Sequence, residues 1–464
     1  MNQDPDLSFY QPLPKTTPNT QWVQYGIPAA VVLVATIAAY WGSLQTHIIL
    51  IGLIVAIAGG LFVIRNPNIS YLLVFAGGMF VPFAGPGGTN ISILLIILMV
   101  ILWLIDMFVV RREFKFVKSR TLRPPLYFML VSVIALGMGQ ISWFVFAKQA
   151  PLDAQLGGFS LYFFSAAAMV MTANIVTEIK WLKAIVWTFV GLGFIYVIGR
   201  AVGLDIVDSF YQNGVIANSM FWLWLAVLPM GQAIFNPDLR FRTRMFLYGI
   251  VAATMFVAVV INFDWKSGFV PAVVAIAVLI GLRFPKLALL SIPFALLVAI
   301  YLSQELIATD QYSWGTRLDA WLVVLDIARI SPILGMGFAN YYWYATLFSI
   351  RGYHITFNSH SQFVDLIAQT GIVGFGLFIW ILAEVVALAW KLSRRLTDGF
   401  ARGYAFSILA GTIGCIVASF LVDWLLPFVY NIGMNGFRAS ILPWIFFGGL
   451  VALGQIFPDA NKTS

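Results

Sequence analysis

The feature that most constrains this chain is an apolar run of about 20 residues that recurs along it, long enough as a helix to cross the roughly 30 Å hydrocarbon core of a bilayer. Such runs occupy 27–43, 46–64, 69–85, 91–110, 126–147, 159–176, 182–203, 215–235, 245–263, 268–284, 286–303, 371–390, 403–421 and 440–456. The pattern predicts an all-α membrane protein, a bundle of about 12–14 transmembrane helices.

Charge then sets an expected topology. The chain is 61% hydrophobic and 10% charged, with a formal net charge of +8. In a polytopic membrane protein that surplus belongs to cytoplasmic loops rather than to a nucleic-acid surface, so no nucleic-acid partner is expected. The connections after even-numbered runs hold Arg65; Arg111, Arg112, Lys115, Lys118, Arg120 and Arg123; Lys180 and Lys183; Arg240, Arg242 and Arg244; Arg283 and Lys286; Lys391, Arg394, Arg395 and Arg402. The connections after odd-numbered runs hold few basic residues and the acids Asp153, Asp205, Asp208, Asp310 and Asp423. Both termini are therefore expected in the cytoplasm. Residues 1–25, polar and proline-bearing without a signal-peptide pattern, read as a disordered cytoplasmic tail. Cys415 is the one cysteine, so no disulfide or cysteine metal site is expected.

The long connection 304–370 falls on the extracytoplasmic side in this scheme, and its length calls for structure of its own. In "TRLDAWLVVLDIARISP" Thr316 and Asp319 fit a capping box, and Asp326 and Arg329 are spaced as a surface pair. In "NSHSQFVDLIAQTGIVG" Ser359 and Gln362 fit a second box, placing His360 in the first turn of a short helix toward Gly371. There the helix dipole disfavours imidazolium, leaving either a neutral histidine fit to be a general base or one that only caps the helix. Gln362, Asp365 and Gln369 form a polar stripe beside it. Seven cations lie on the side where basic residues are scarce: Lys148, Arg200, Lys266, Arg317, Arg329, Arg351 and Arg438. Such residues suit an anion, phosphate above all; the alternatives are local pairs, Lys266 with Asp264, Arg200 with Asp205 or Asp208, and Arg317 with Asp319.

The stretch "GTRLDAWLVVLDIARISPILGMGFANYY" followed by "NSHSQFVDLIAQTGIVGFGLFIW" resembles the signature loop and following span of the O-antigen ligase and polymerase superfamily. Arg317, Trp321, Pro332, Gly335, Gly337, His360, Asp365, Gln369, Gly371 and Gly374 fall in the order of that pattern. "DWKSGF" resembles the family's Ser-Arg motif, with Lys266 where arginine is common, and "GVIANSMFWLWLAVLP" its asparagine-containing segment. Ser361 stands where asparagine often follows the histidine.

The resemblance implies a GT-C-like membrane glycosyltransferase of the cell envelope, serving lipopolysaccharide or exopolysaccharide biosynthesis at the outer face of the bacterial cytoplasmic membrane. Its donor would be an undecaprenyl-diphosphate-linked glycan, and its acceptor a glycan or a lipid. His360 would activate the acceptor, while Arg317, Lys266 and Arg200 hold the diphosphate, and in-line attack would invert the anomeric centre. Asp365, Gln362, Ser361, Asn358, His354 and Trp321 would support them. No cofactor or metal is expected, since the sequence shows no outer acid or histidine cluster with ligand spacing. The implied organisation is a tail (1–25), an N-terminal transmembrane bundle (26–303), a catalytic loop (304–370), C-terminal transmembrane helices (371–457) and a short tail (458–464). The alternative is a flippase for lipid-linked oligosaccharides or another polysaccharide transporter; such proteins show internal repeats and midplane ionisable residues, and no convincing repeat is present.

Overall fold

The computed structural model describes Thr36 and residues 67–110, 112–113, 116–286 and 311–458, and the fold below is that of the unit Asn66–Ser464. Its α-helices of five residues or more are α1 (Pro67–Phe80), α2 (Ile91–Ile105), α3 (Arg123–Met138), α4 (Leu152–Ile175), α5 (Ile179–Ala201), α6 (Ser219–Phe235), α7 (Phe241–Met255), α8 (Lys266–Arg283), α9 (Gln311–Ala328), α10 (Asn340–Tyr344), α11 (Gln362–Arg395), α12 (Gly399–Leu421) and α13 (Phe437–Ile456). Among the described residues there is no strand, and nine helical segments are long and apolar enough to cross a membrane. Helices α1 and α6 add two shorter apolar ones. Each expected run from 69–85 to 268–284 and from 371–390 to 440–456 overlaps one of these helices. The runs 27–43, 46–64 and 286–303, apart from Thr36 and Lys286, lie outside the described residues, as does the expected tail 1–25.

Burial sorts the helices into inner and outer positions. The span containing α13 is 83% buried and α12 is 72% buried, whereas α8 is only 28% buried. Inner α6 packs on α7, α8 and α12; α13 packs on α4; and α3 bridges α4 and α11. Because lipid is as apolar as a leucine side chain, these contacts rest on close packing and on polar bonds between helices. Ser407 of α12 donates to Val227 O of α6 at 3.2 Å, and Tyr404 of α12 donates to Phe446 O of α13 at 2.7 Å.

Asparagine side chains start two of the helices and pin them to the segment before α13. Asn90 Oδ1 accepts the Ser92 and Ile93 N–H groups at the head of α2, and its Nδ2 donates to Met434 O at 2.6 Å. Asn218 does the same for α6, accepting Met220 N–H and donating to Gly436 O at 3.2 Å. Its place in the sequence segment singled out above is thereby explained as a cap and a tie.

Arg438 is another such tie. Its Nη1 donates to Gly78 O (2.9 Å) and Val81 O (3.0 Å), its Nη2 to Phe83 O (2.9 Å), and its Nε to Asn435 Oδ1 (2.9 Å). The guanidinium takes up Gly78 O, whose helical partner four residues on would be Pro82 with no N–H to give, and two carbonyls of the turn that follows α1, so this cation is structural. Replacing Arg438 by leucine should cost about 3 kcal/mol by stranding these groups; a thermal-unfolding midpoint in detergent that drops sharply supports the assignment, and an unchanged one refutes it.

Candidate active site

The site begins with a break in a helix. At Gly371, α11 leaves helical geometry (φ 68°, ψ −173°), a conformation open to glycine, and a side chain there would overlap the Ile333 carbonyl. The opened turn exposes backbone groups, and the loop after α9 takes them up. Met336 N–H donates to Ala368 O (2.9 Å) and Gly337 N–H to Gln369 O (3.1 Å), while Ile372 N–H donates to Pro332 O (2.9 Å). The Gly-x-Gly of residues 335–337 and the glycine at 371 are thus two halves of one backbone junction.

The first turns of α11 carry Asp365, fully buried, and the surroundings supply hydroxyl donors to it. Tyr341 Oη donates to Asp365 Oδ1 at 2.5 Å, and Ser359 Oγ donates to the same oxygen at 2.7 Å. Ser359 N–H in turn donates to Tyr341 Oη (3.3 Å), and Ser361 N–H donates to Ser359 Oγ (3.1 Å). Burial first, then the Asp365 charge, pushes the Tyr341 phenol well above its usual range, so it remains a donor. Gln369 extends the network, with Oε1 accepting Ala339 N–H (3.1 Å) and Nε2 donating to Tyr162 Oη (3.1 Å). Gln362 turns the other way: its Oε1 accepts Leu426 N–H at 2.7 Å.

The expected capping box is therefore not formed. Helix α11 starts at Gln362 with Ser361 at the cap and no side-chain cap bond, because Ser359 and Gln362 are committed to Asp365 and to Leu426. Likewise α9 starts at Gln311, so Thr316 and Asp319 lie inside it, and Asp319 Oδ2 pairs with Arg351 Nε at 2.7 Å.

His360 stands two residues ahead of α11, not in its first turn. Its backbone is left-handed (φ 49°), held by Asn358 Oδ1 accepting its N–H at 2.7 Å. The ring is half-buried, and its pKa is lowered, first by burial and then by the Arg317 guanidinium. The imidazole therefore stays neutral to more acidic pH than an ordinary histidine, as expected, but through desolvation and a neighbouring cation.

Helix α9 brings Arg317 and Trp321, one turn apart, to this place. Trp321 Nε1 donates to Ser359 O at 2.7 Å, and its ring meets Phe420 edge-on at 5.6 Å. Arg317 Nη1 reaches Leu421 O, the last residue of α12, at 3.5 Å. Beyond Leu421, Asp423 is fully buried and organises the next turn, accepting Phe428 N–H (2.5 Å) and Asn431 Nδ2–H (2.6 Å). Burial pushes its carboxyl up to about 6, partly offset by those two donors.

Trp424, next to Asp423, lines a cleft of about 850 Å³, where it meets Trp265 edge to face at 5.5 Å. Tyr196, Tyr211, Asn262, Asp208, Asp264 and Arg200 also line it. Arg200 is not an isolated cation: it pairs with Asp205 and, at 3.1 Å, with Asp208. Lys266, next to Trp265, is exposed and makes no ion pair with Asp264 or any other acid among the described residues. His354 is exposed, its Nδ1 against Thr346 O at 3.1 Å, with no hydrogen bond to His360. Arg329 pairs with Asp326 as its spacing suggested.

Arg317, Trp321, Asn358, Ser359, His360, Ser361, Gln362 and Asp365 are thus brought to one locality, whereas among the described residues no bond joins Arg200, Lys266 or His354 to it. The sequence reading missed Tyr341, the partner of Asp365. Its signal was the aromatic run "NYYWY", whose residues outnumber what a surface loop needs.

Residues 241–379 match the family model described as O-Antigen ligase. No curated protein matches the chain. The matched segment includes Lys266, Arg317 and His360 and leaves out Arg200 and Asp423.

With only three histidines in the chain, His360 is open to direct titration by NMR of labelled imidazoles. Its pKa should fall below 6.5, and Arg317→Gln should raise it by removing one of its two depressing influences. A titration that Arg317→Gln leaves unmoved would contradict this geometry.

Proposed function

We propose that this chain, whose residues 241–379 match the O-Antigen ligase model, is a membrane glycosyltransferase that moves a glycan from an undecaprenyl-diphosphate carrier to a lipid or glycan acceptor. The observation that carries this reading is the half-buried histidine, held neutral, beside the Arg317 cation.

In this mechanism His360 takes the proton of the acceptor hydroxyl as its oxygen attacks the anomeric carbon. The bond from that carbon to the diphosphate oxygen breaks on the opposite face, so the anomeric centre inverts. Negative charge grows on the leaving diphosphate, and Arg317 and Lys266 stabilise it. Lys266 contributes a point charge where a guanidinium would offer a fork. The buried network of Asp365, Tyr341 and Ser359 fixes the turn that presents His360, and Trp321 fixes α9 to the same turn. His354, exposed and bound to the loop backbone, has no role in the proton transfer.

Arg200 has a different part. Two carboxylates, Asp208 and Asp264, share its cleft, and Asp205 pairs with it as well. That balance suits sugar hydroxyls, which donate to carboxylates and both donate to and accept from amides, better than a diphosphate; the half-buried Trp265 ring suits the apolar side of a sugar ring. The cleft therefore reads as the glycan's place and not the diphosphate's.

The orientation follows from charge. Lys180, Lys183, Arg240, Arg242, Arg244, Arg283, Arg394 and Arg402 all flank helix ends away from His360, supporting cytoplasmic termini and a site at the outer face of the cytoplasmic membrane.

The test is transfer from an undecaprenyl-diphosphate oligosaccharide by folded, purified protein in the presence of a metal chelator. His360→Ala should lose about 100-fold or more, and Lys266→Arg should retain more activity than Lys266→Ala. Transfer by His360→Ala at the wild-type rate overturns the assignment of the base.

A further inference from the structure

A second cleft, of about 830 Å³, opens at the end of the bundle away from His360, between the approach to α3, the C-terminal half of α11 and the last turns of α13. Its charge is one-sided. Lys118, Arg120, Lys391 and Arg395 line it, against one carboxylate, Glu384.

That carboxylate is 8% exposed, and its Oε1 accepts both Arg120 Nε–H (2.7 Å) and Trp380 Nε1–H (3.0 Å). A buried acid on a membrane-spanning helix is costly, and here it holds an arginine by a single nitrogen. The two terminal nitrogens of Arg120 make no hydrogen bond among the described residues, and the side chain is 77% exposed. What Glu384 leaves free is the flat edge of a guanidinium, the geometry that matches two phosphate oxygens. Arg395 bonds to the Phe457 carbonyl, which keeps the end of α13 against this rim.

Away from the charges the lining is mixed, with Leu388, Leu392 and Val451 beside Ser119, Thr121 and Gln455. Ala383 and Ala387 of α11 are exposed in it, and Gly454 of α13 adds no side chain, so a groove runs from the cationic rim along the helices. A soluble phosphate would engage the rim and leave this groove uncovered. An amphiphile covers both. We propose that this cleft binds the phosphate of an anionic phospholipid, with Arg120 and Lys118 on the headgroup and an acyl chain along Ala383, Ala387 and Gly454. The surplus of cations selects lipids of net negative charge over zwitterionic ones.

The experiment is native mass spectrometry of the full chain released from detergent, titrated with phosphatidylglycerol, phosphatidylcholine or inorganic phosphate. Phosphatidylglycerol should bind several-fold more tightly than phosphatidylcholine. Lys118→Gln and Arg120→Gln should each weaken it about five-fold. Lys118 has no protein partner among the described residues, so its variant keeps the fold and isolates the charge effect, checked by an unchanged unfolding midpoint. Equal binding of the two lipids, a Lys118→Gln variant that binds as wild type, or displacement of the lipid by millimolar inorganic phosphate would each overturn the proposal.

Discussion

The candidate active site depends on one buried carboxylate. Asp365 sits at zero exposure near the head of a membrane helix, where an acid without donors would be too costly to keep. Tyr341 and Ser359 meet it with hydroxyls, and those two residues belong to the segments that shape the site. Tyr341 comes from the short helix after the Gly-x-Gly junction. Ser359 comes from the turn that presents His360. Removing the carboxylate would release both segments, and with Ser359 the carbonyl that Trp321 holds.

The same rule, that a membrane protein keeps a charge only where a partner or a function accounts for it, separates the cations that one line of sequence makes look alike. Arg438 is spent on carbonyls at the end of α1 and in the turn after it, Arg351 on Asp319, and Arg200 on two aspartates. Arg317 instead stands where its charge bears on His360, and Lys266 stands exposed beside the aromatic cleft. At the far end Arg120 is half spent, on Glu384, with the rest of its guanidinium turned outward.

Much of this was legible in the sequence, and the reason differs from element to element. Helices such as α4 and α12 announced themselves because a bilayer demands an unbroken apolar length, which composition alone reports. His360, Arg317 and Asp365 were legible because polar residues are rare in such a chain and stand out. The caps were misread because Ser359, Gln362, Thr316 and Asp319 fit a local pattern, while Gln362 and Asp319 find their partners elsewhere in the chain, Leu426 and Arg351, and Ser359 turns to the buried Asp365. The pairing of Arg120 with Glu384, across 264 residues, has no local signature at all. The cause of the low pKa at His360 was likewise out of reach, since burial and the approach of α9 are properties of the fold.

The central claim is that a neutral His360, poised by burial and by Arg317, takes the proton from the acceptor. The most direct measurement is the pH dependence of kcat/KM for glycan transfer. The lowered pKa means that the neutral form, and so the rate, persists as pH falls through 6.5 and is lost only below that, at the pKa of His360 itself. An acid limb that lies above 6.5, or a rate that stays flat well below the titration of His360, would contradict the account.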